Sequence, residues 1–248
     1  MVNATTVPLE RRLTLLHEDT DRLASVLERT GFTMKVPSCP EWTLGDLAFH
    51  VGEVHRFWTW IAREEVQDPE AVQRPEAVDP PDAELAAWLR QGADELISVL
   101  READPSTPVW SWAPQHDMGF IQRRMPHETS VHRWDAEDTA GRHDASIATD
   151  LAADGISEYL FLATAKTYEG EARLALHSAD TGHDWTGWLD EGQLRWEVGV
   201  ADAPATLTGS ASDLLLTLWR RRELSEGRVQ VTGDRAAVAR FLALADLD

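Results

Sequence analysis

The chain has 248 residues, of which 43% are hydrophobic, enough to build a core and to exclude general disorder. At about 150 residues per domain, this length fits one large domain or two compact ones. The 43 acidic and 23 basic residues give a net charge of -20, which repels phosphate backbones and anionic membrane surfaces. We therefore expect neither nucleic acid nor a membrane as a partner.

Cysteine usage and the N-terminal residues indicate the compartment. Cys39 is the only cysteine, so neither an intrachain disulfide nor a thiolate zinc finger can form. We expect it to be a buried loop cysteine rather than a nucleophile. The N-terminal residues lack the basic-then-apolar order of a signal peptide, and no apolar run approaches the roughly 18 residues of a membrane span. A cytoplasmic location is predicted.

The first half of the chain predicts helices. Thr43 and Asp46 have the spacing of a capping box, and Gly31 is a stop signal. Loops are expected over 35–42, which holds two prolines, and over 64–84, which is acidic and rich in proline. Apolar residues recur at helical spacing in four segments, about 9–29, 43–65, 83–102 and 118–139. Four such helices predict a four-helix bundle.

Short alternating runs typical of half-buried strands appear after Gly141. They fall at 173–176, 194–198, 205–208 and 228–232. Further helices are predicted over about 148–167, 210–222 and 234–245. We therefore predict a helical domain over residues 1–145 and a smaller α+β domain over residues 146–248.

The fourth predicted helix carries polar residues where a core should be. One stripe at helical spacing holds Ile121, Met125, Glu128, His132, Asp135 and Thr139. A buried carboxylate needs compensation, and Glu128 and His132, four residues apart, can both reach one metal ion. The alternatives are that the stripe faces water or that the two residues form a simple salt bridge. Asp135, on the same stripe, would either orient His132 or pair with Arg56 or Arg133.

A third ligand would have to come from another helix. The second helix offers His50 and His55, which are five residues apart and so lie about 140° from each other on the helix surface. At most one of them can join the site. Helical periodicity does not choose between them, because His55 lies nearer the centre of the apolar stripe and His50 at its edge.

Three motifs resemble one known family. The segment Pro37-Ser-Cys-Pro-Glu-Trp-Thr-Leu-Gly-Asp-Leu-Ala-Phe-His50 and the segment Glu128-Thr-Ser-Val-His132 are similar to the signatures of the mycothiol-dependent maleylpyruvate isomerase family, within the DinB-like metalloenzymes. The stretch 209–222, with Leu-Trp before a run of arginines, resembles the second domain of that family. The similarity covers nearly the whole chain.

The resemblance implies a DinB-like four-helix bundle that holds a divalent ion, most often Zn²⁺, through His50, Glu128 and His132. It also implies mycothiol as cosubstrate, whose thiolate would attack a small electrophilic, possibly anionic substrate. The enzyme would be a thiol S-transferase or a maleylpyruvate-type cis-trans isomerase. The alternatives are a metal-binding or regulatory module without catalysis and a hydrolase that uses metal-bound water.

The same resemblance points to one catalytic arginine. Arg221 matches the arginine of the Leu-Trp-Gly-Arg pattern of the family and could bind a carboxylate with its planar fork. The alternative is that Arg220, Arg221 and Arg222 only complement the end of a helix and nearby acids. Arg220 stands where the family has glycine, a departure that bears on the local turn.

Overall fold

The structure is a computed structural model that describes residues 7–70 and 80–244. These residues form two compact units, one over Pro8–Ala145 and one that begins at Ser146. Part of the predicted loop over 64–84 and the end of the last predicted helix lie outside the described residues.

The N-terminal unit is a four-helix bundle, as the spacing of apolar residues predicts. α1 packs against α3 and α4, and α2 packs against the same two helices. Local caps set the helix starts: the Thr43 hydroxyl accepts from Asp46 N, and the Asp117 carboxylate accepts from Phe120 N. The helices are α1 (Leu9–Thr30), α2 (Leu44–Arg63), α3 (Leu85–Glu102) and α4 (Met118–Thr139).

A short β-hairpin precedes α2 where the sequence indicated only a loop. Its strands are β1 (Lys35–Val36) and β2 (Cys39–Thr43), with Lys35 opposite Thr43 and Val36 opposite Cys39. Pro37 and Pro40 argue against a strand, but an isolated pair of short strands leaves many backbone donors unused, so it accommodates proline.

α4 is buried on nearly every face, although its sequence is rich in charge. Arg133, 1% exposed, donates to Asp19 Oδ1 over 3.0 Å and to Glu137 Oε2 over 2.8 Å. Arg22 on α1 also donates to both oxygens of Glu137, over 2.8 Å each. These ion pairs join α1 to α4 and compensate the buried charges of the helix.

The C-terminal unit is α+β, as predicted. Its five strands lie in the order β5-β4-β3-β6-β7, in which β3 and β6 are parallel and all other neighbours are antiparallel. The strands are β3 (Arg173–Ser178), β4 (Asp184–Asp190), β5 (Gln193–Val198), β6 (Ala205–Gly209) and β7 (Gln230–Gly233). The helices are α5 (Thr149–Ala163), α6 (Ala211–Leu218) and α7 (Arg235–Leu244).

β4 has no counterpart among the predicted strands, and it anchors two helices to one face of the sheet. Trp185 Nε1 donates to Ser157 Oγ of α5 over 2.9 Å. Two residues along, a Cβ on Gly187 would lie 2.7 Å from the Phe241 ring of α7, so only glycine admits this helix so closely. Three consecutive buried positions break the alternation by which a strand is recognised.

Among the described residues, none of the helices combines the length and the apolar character that crossing a membrane requires.

The turn after α6 forms with an arginine in the left-handed region. α6 ends at Leu218, earlier than the predicted end near Arg222, and Arg220 has φ +57°. Arg221 N closes the turn on Leu216 O over 2.8 Å. The Arg220 guanidinium donates to Leu242 O over 3.3 Å, at the end of α7, so the side chain caps a second helix.

We expect Arg220→Gly to be more stable than Arg220→Ala by about 1 kcal/mol, because both variants lose the contact with α7 and only glycine adopts the left-handed conformation without strain. Urea denaturation of the two variants measures the difference. Equal stabilities would show that the turn holds no strain.

Candidate metal centre

Two capped helices bring the predicted ligands together. His50 lies in the second turn of α2, which begins at the Thr43 cap, and α4 places Glu128 and His132 one turn apart on one face. Because α2 packs against α4, the histidine of one helix meets the Glu/His pair of the other. All three residues belong to the N-terminal unit.

The geometry of this cluster fits a small divalent cation. Glu128 Oε1 lies 3.4 Å from His50 Nε2 and 3.2 Å from His132 Nε2, and one ligand atom from each of the three residues lies within 4.8 Å of the others. Tetrahedral ligands at zinc-like bond lengths stand about 3.3 Å apart. Two of the three separations therefore match such a cation before any adjustment.

The cluster is more enclosed on one side than on the other. The His132 and Glu128 side chains are 10% and 15% exposed, whereas His50 is 35% exposed. A fourth position would therefore be approached past His50. Three protein ligands with an accessible fourth position are the arrangement of catalytic rather than structural zinc sites.

Nearby charges keep the carboxylate ionised. Burial disfavours the charge on Glu128, but Arg124 and His132 outweigh it and hold the pKa of the carboxyl well below its usual range. Arg124 contacts Oε2, which leaves Oε1 facing the two histidines. Burial also opposes a charge on His132, but Glu128 and Asp135 raise its pKa to about 9. The Glu128–His132 ion pair is thus present, and a bound cation would replace the proton on His132 Nε2.

Asp135 orients His132 from behind. It is fully buried, and its Oδ2 accepts from His132 Nδ1 over 2.9 Å. With its proton held on Nδ1, His132 can present the Nε2 lone pair to a cation, an arrangement common to metal-binding histidines. Arg56 lies over the Trp88 ring, and Arg133 binds Asp19 and Glu137.

His55 ties α2 to α4 outside the cluster. It is fully buried, and its Nε2 lies 2.9 Å from Thr129 Oγ1. The Thr129 hydroxyl donates to Met125 O over 2.9 Å, so its oxygen can only accept from His55 Nε2–H. Burial lowers the pKa of His55 to about 3 and keeps the ring neutral. The structure thus brings His50, not His55, to Glu128 and His132.

Other residues near the cluster were not singled out from the sequence. Arg124 could have been found, because it stands four residues before Glu128 on the same helix. Ser38 and the Trp42 ring approach from the hairpin, and nothing in their spacing indicates this.

Arg221, the predicted catalytic arginine, lies in the C-terminal unit just after α6. Its Nη1 donates to Trp219 O over 2.9 Å. Its carboxylate-binding role stays a prediction.

The fold and the cluster together define a two-domain protein whose helical bundle carries a candidate metal centre and whose second domain is α+β. The model of the mycothiol maleylpyruvate isomerase N-terminal domain matches residues 13–137, and that of the C-terminal domain of the same isomerase matches residues 150–240. The chain therefore belongs to the mycothiol-dependent maleylpyruvate isomerase family and is an enzyme of that family.

Solved structures show the same fold. A crystal structure of the mycothiol-dependent maleylpyruvate isomerase is 16% identical, with a TM-score of 0.61, over 92% of this chain and 95% of that one. A histidine-to-alanine mutant of that isomerase is 15% identical, with a TM-score of 0.62 over the same shares. No curated protein matches the chain by sequence.

Proposed function

We propose that the chain binds a divalent ion, Zn²⁺, through His50, Glu128 and His132, and uses mycothiol as a cosubstrate against a small electrophile. The observation that carries this proposal is the set of ligand separations, 3.2 and 3.4 Å about Glu128 Oε1, in a member of this family. A salt bridge alone would need only Glu128 and His132, and His50 adds a third donor from another helix.

Each residue around the proposed site has its own role in metal binding. His50, Glu128 and His132 hold the ion, Asp135 keeps the proton on His132 Nδ1, and Arg124 keeps Glu128 ionised with one oxygen turned to the histidines. A divalent ion bound there would supply the positive charge that stabilises a thiolate at neutral pH. The thiol would enter beside the more exposed His50.

The fate of the substrate separates two reactions. An isomerase would add the thiolate to a double bond, allow rotation about the resulting single bond and eliminate the same thiolate. An S-transferase would protonate the adduct and release it or, with a haloalkyl electrophile, form the carbon–sulfur bond as halide leaves. In either case we propose that Arg221 binds a substrate carboxylate, as its match to the family pattern suggests. A cytoplasmic location, favoured by the single cysteine, remains a prediction.

The test is turnover of the zinc-loaded chain with maleylpyruvate, and with a fluorogenic haloalkyl electrophile, in the presence and absence of mycothiol. We expect conversion of at least one electrophile only with the thiol, and loss of that conversion in Glu128→Ala. Cysteine at the same concentration is the control for general thiol chemistry.

The two alternatives give different results in the same assay. Conversion of either compound without a thiol would favour a hydrolase that uses metal-bound water. Stoichiometric zinc binding without conversion under any of these conditions would favour a metal-binding module.

A further inference from the structure

The β1–β2 hairpin reaches the candidate metal centre from outside the four bundle helices. Ser38, between its strands, donates through Oγ to Asp135 Oδ1 over 2.6 Å. The other oxygen of Asp135 accepts from His132 Nδ1 over 2.9 Å. A continuous chain of hydrogen bonds therefore runs from the hairpin through Asp135 to one ligand.

The same hairpin contacts the second histidine by packing. The Trp42 ring centroid lies 4.7 Å from that of His50, with the planes tilted by 43°, and 6.3 Å from that of His132. His50 Nδ1 makes no hydrogen bond to any residue in the described part of the chain. Because the ring torsion of histidine is broad and roughly two-fold, an imidazole without such a bond depends on its neighbours for orientation.

The hairpin is itself firmly held. Val36 is fully buried in the bundle core, and Leu44 N donates to Met34 O over 2.8 Å at the base of the hairpin. Thr43, the last residue of β2, is also the cap of α2. The segment that carries Ser38 and Trp42 is therefore continuous with the helix that carries His50.

We infer that residues 35–43 are the positioning element of the metal centre, with one positioning residue for each histidine. Ser38 orients His132 through Asp135, and Trp42 limits the rotation of His50. This inference rests on the proposed metal site. The hairpin then sets metal affinity and coordination geometry, a role that packing of the bundle alone would not require.

The test measures Co²⁺ and Zn²⁺ affinity of the full chain by competition with a chelating dye, together with the visible spectrum of the Co²⁺ form and the melting temperature. We expect Ser38→Ala to weaken metal binding about tenfold, the lower end of the range for loss of a residue that hydrogen-bonds around a metal site. Ser38→Thr should restore most of the affinity. Trp42→Leu should weaken metal binding by a similar factor and alter the Co²⁺ spectrum. Trp42→Phe should have a smaller effect on both the affinity and the spectrum.

Two controls separate positioning from general stability. Ser106→Ala removes another serine–carboxylate bond, the 2.7 Å contact of Ser106 Oγ with Asp104, in the same unit, and should leave both affinities unchanged. If Ser38 acts through Asp135, adding Ser38→Ala to Asp135→Asn should weaken binding less than it does in the wild-type chain.

The outcomes distinguish this inference from the proposed function. If the wild-type chain binds an ion and all Ser38 and Trp42 variants bind it equally well, the positioning role is overturned and the metal site stands. Fully additive effects of Ser38→Ala and Asp135→Asn would overturn the route through Asp135. If the wild-type chain binds neither ion, the proposed function falls, and this inference with it.

Discussion

His132→Ala is expected to abolish metal binding while the bundle still folds. The variant keeps only two ligands, His50 and Glu128, which lie on different helices. The loss of metal affinity should therefore exceed about 100-fold, the upper end of what removing a hydrogen-bond partner of a metal ligand costs. After dialysis, the metal content measured by elemental mass spectrometry should fall from about one ion per chain to a background value. Thiol-dependent turnover should disappear with it.

The matched control for this variant is His143→Ala. His143 also pairs with a carboxylate on the N-terminal unit, Nδ1 to Asp138 Oδ1 over 2.6 Å, but it is exposed and outside the cluster. It should retain the wild-type ion content. A wild-type content in His132→Ala, with circular dichroism showing an intact fold, would contradict the proposed ligand set.

Arg133→Met is expected to destabilise the bundle by about 3 kcal/mol. Asp19 and Glu137 are 4% and 1% exposed, and removing Arg133 strips a direct partner from each of them. Breaking a buried ion pair costs about 3–5 kcal/mol, and the lower end applies because Arg22 still contacts Glu137. Urea denaturation followed by far-ultraviolet circular dichroism and by tryptophan fluorescence measures the free energy of unfolding.

The control for Arg133→Met is Arg101→Met. Arg101 pairs with Glu10 at 3.3 Å, but both side chains are more than half exposed, so the change should cost no more than about 1 kcal/mol. Equal costs for the two variants would show that water reaches the buried carboxylates.

Much of the bundle follows from local signals in the sequence. Thr43 with Asp46 marks the start of α2, and the apolar spacing that follows determines which face of the helix is buried. α1 and α4 begin and end within a residue of the predicted bounds. For α1, the apolar period and the stop signal at Gly31 agree. These features depend on neighbours within one or two turns, which the sequence displays directly.

Other features depend on contacts that spacing along the chain does not reveal. β4 is recognisable only once α5 and α7 lie against Trp185 and Gly187. Likewise, α4 is rich in charged residues, and its burial on nearly every face is compensated in part by Asp19 and Arg22 of α1, which pair with its charged side chains. The end of α6 lies four residues earlier than predicted, because Arg220 adopts a conformation usually left to glycine.

By itself, the sequence determined the class of the fold, the four bundle helices and the pairing of Glu128 with His132, because helical periodicity is a local property. It also carried the motifs that place the chain in its family. Those motifs also implied His50 as the third ligand, a choice that helical periodicity left open. Only the tertiary structure decided that His50 lies beside Glu128 and His132, that His55 bonds to Thr129 and that Ser38 reaches Asp135. The physical reason is that packing between distant segments sets both the side of α2 that faces α4 and the position of the hairpin.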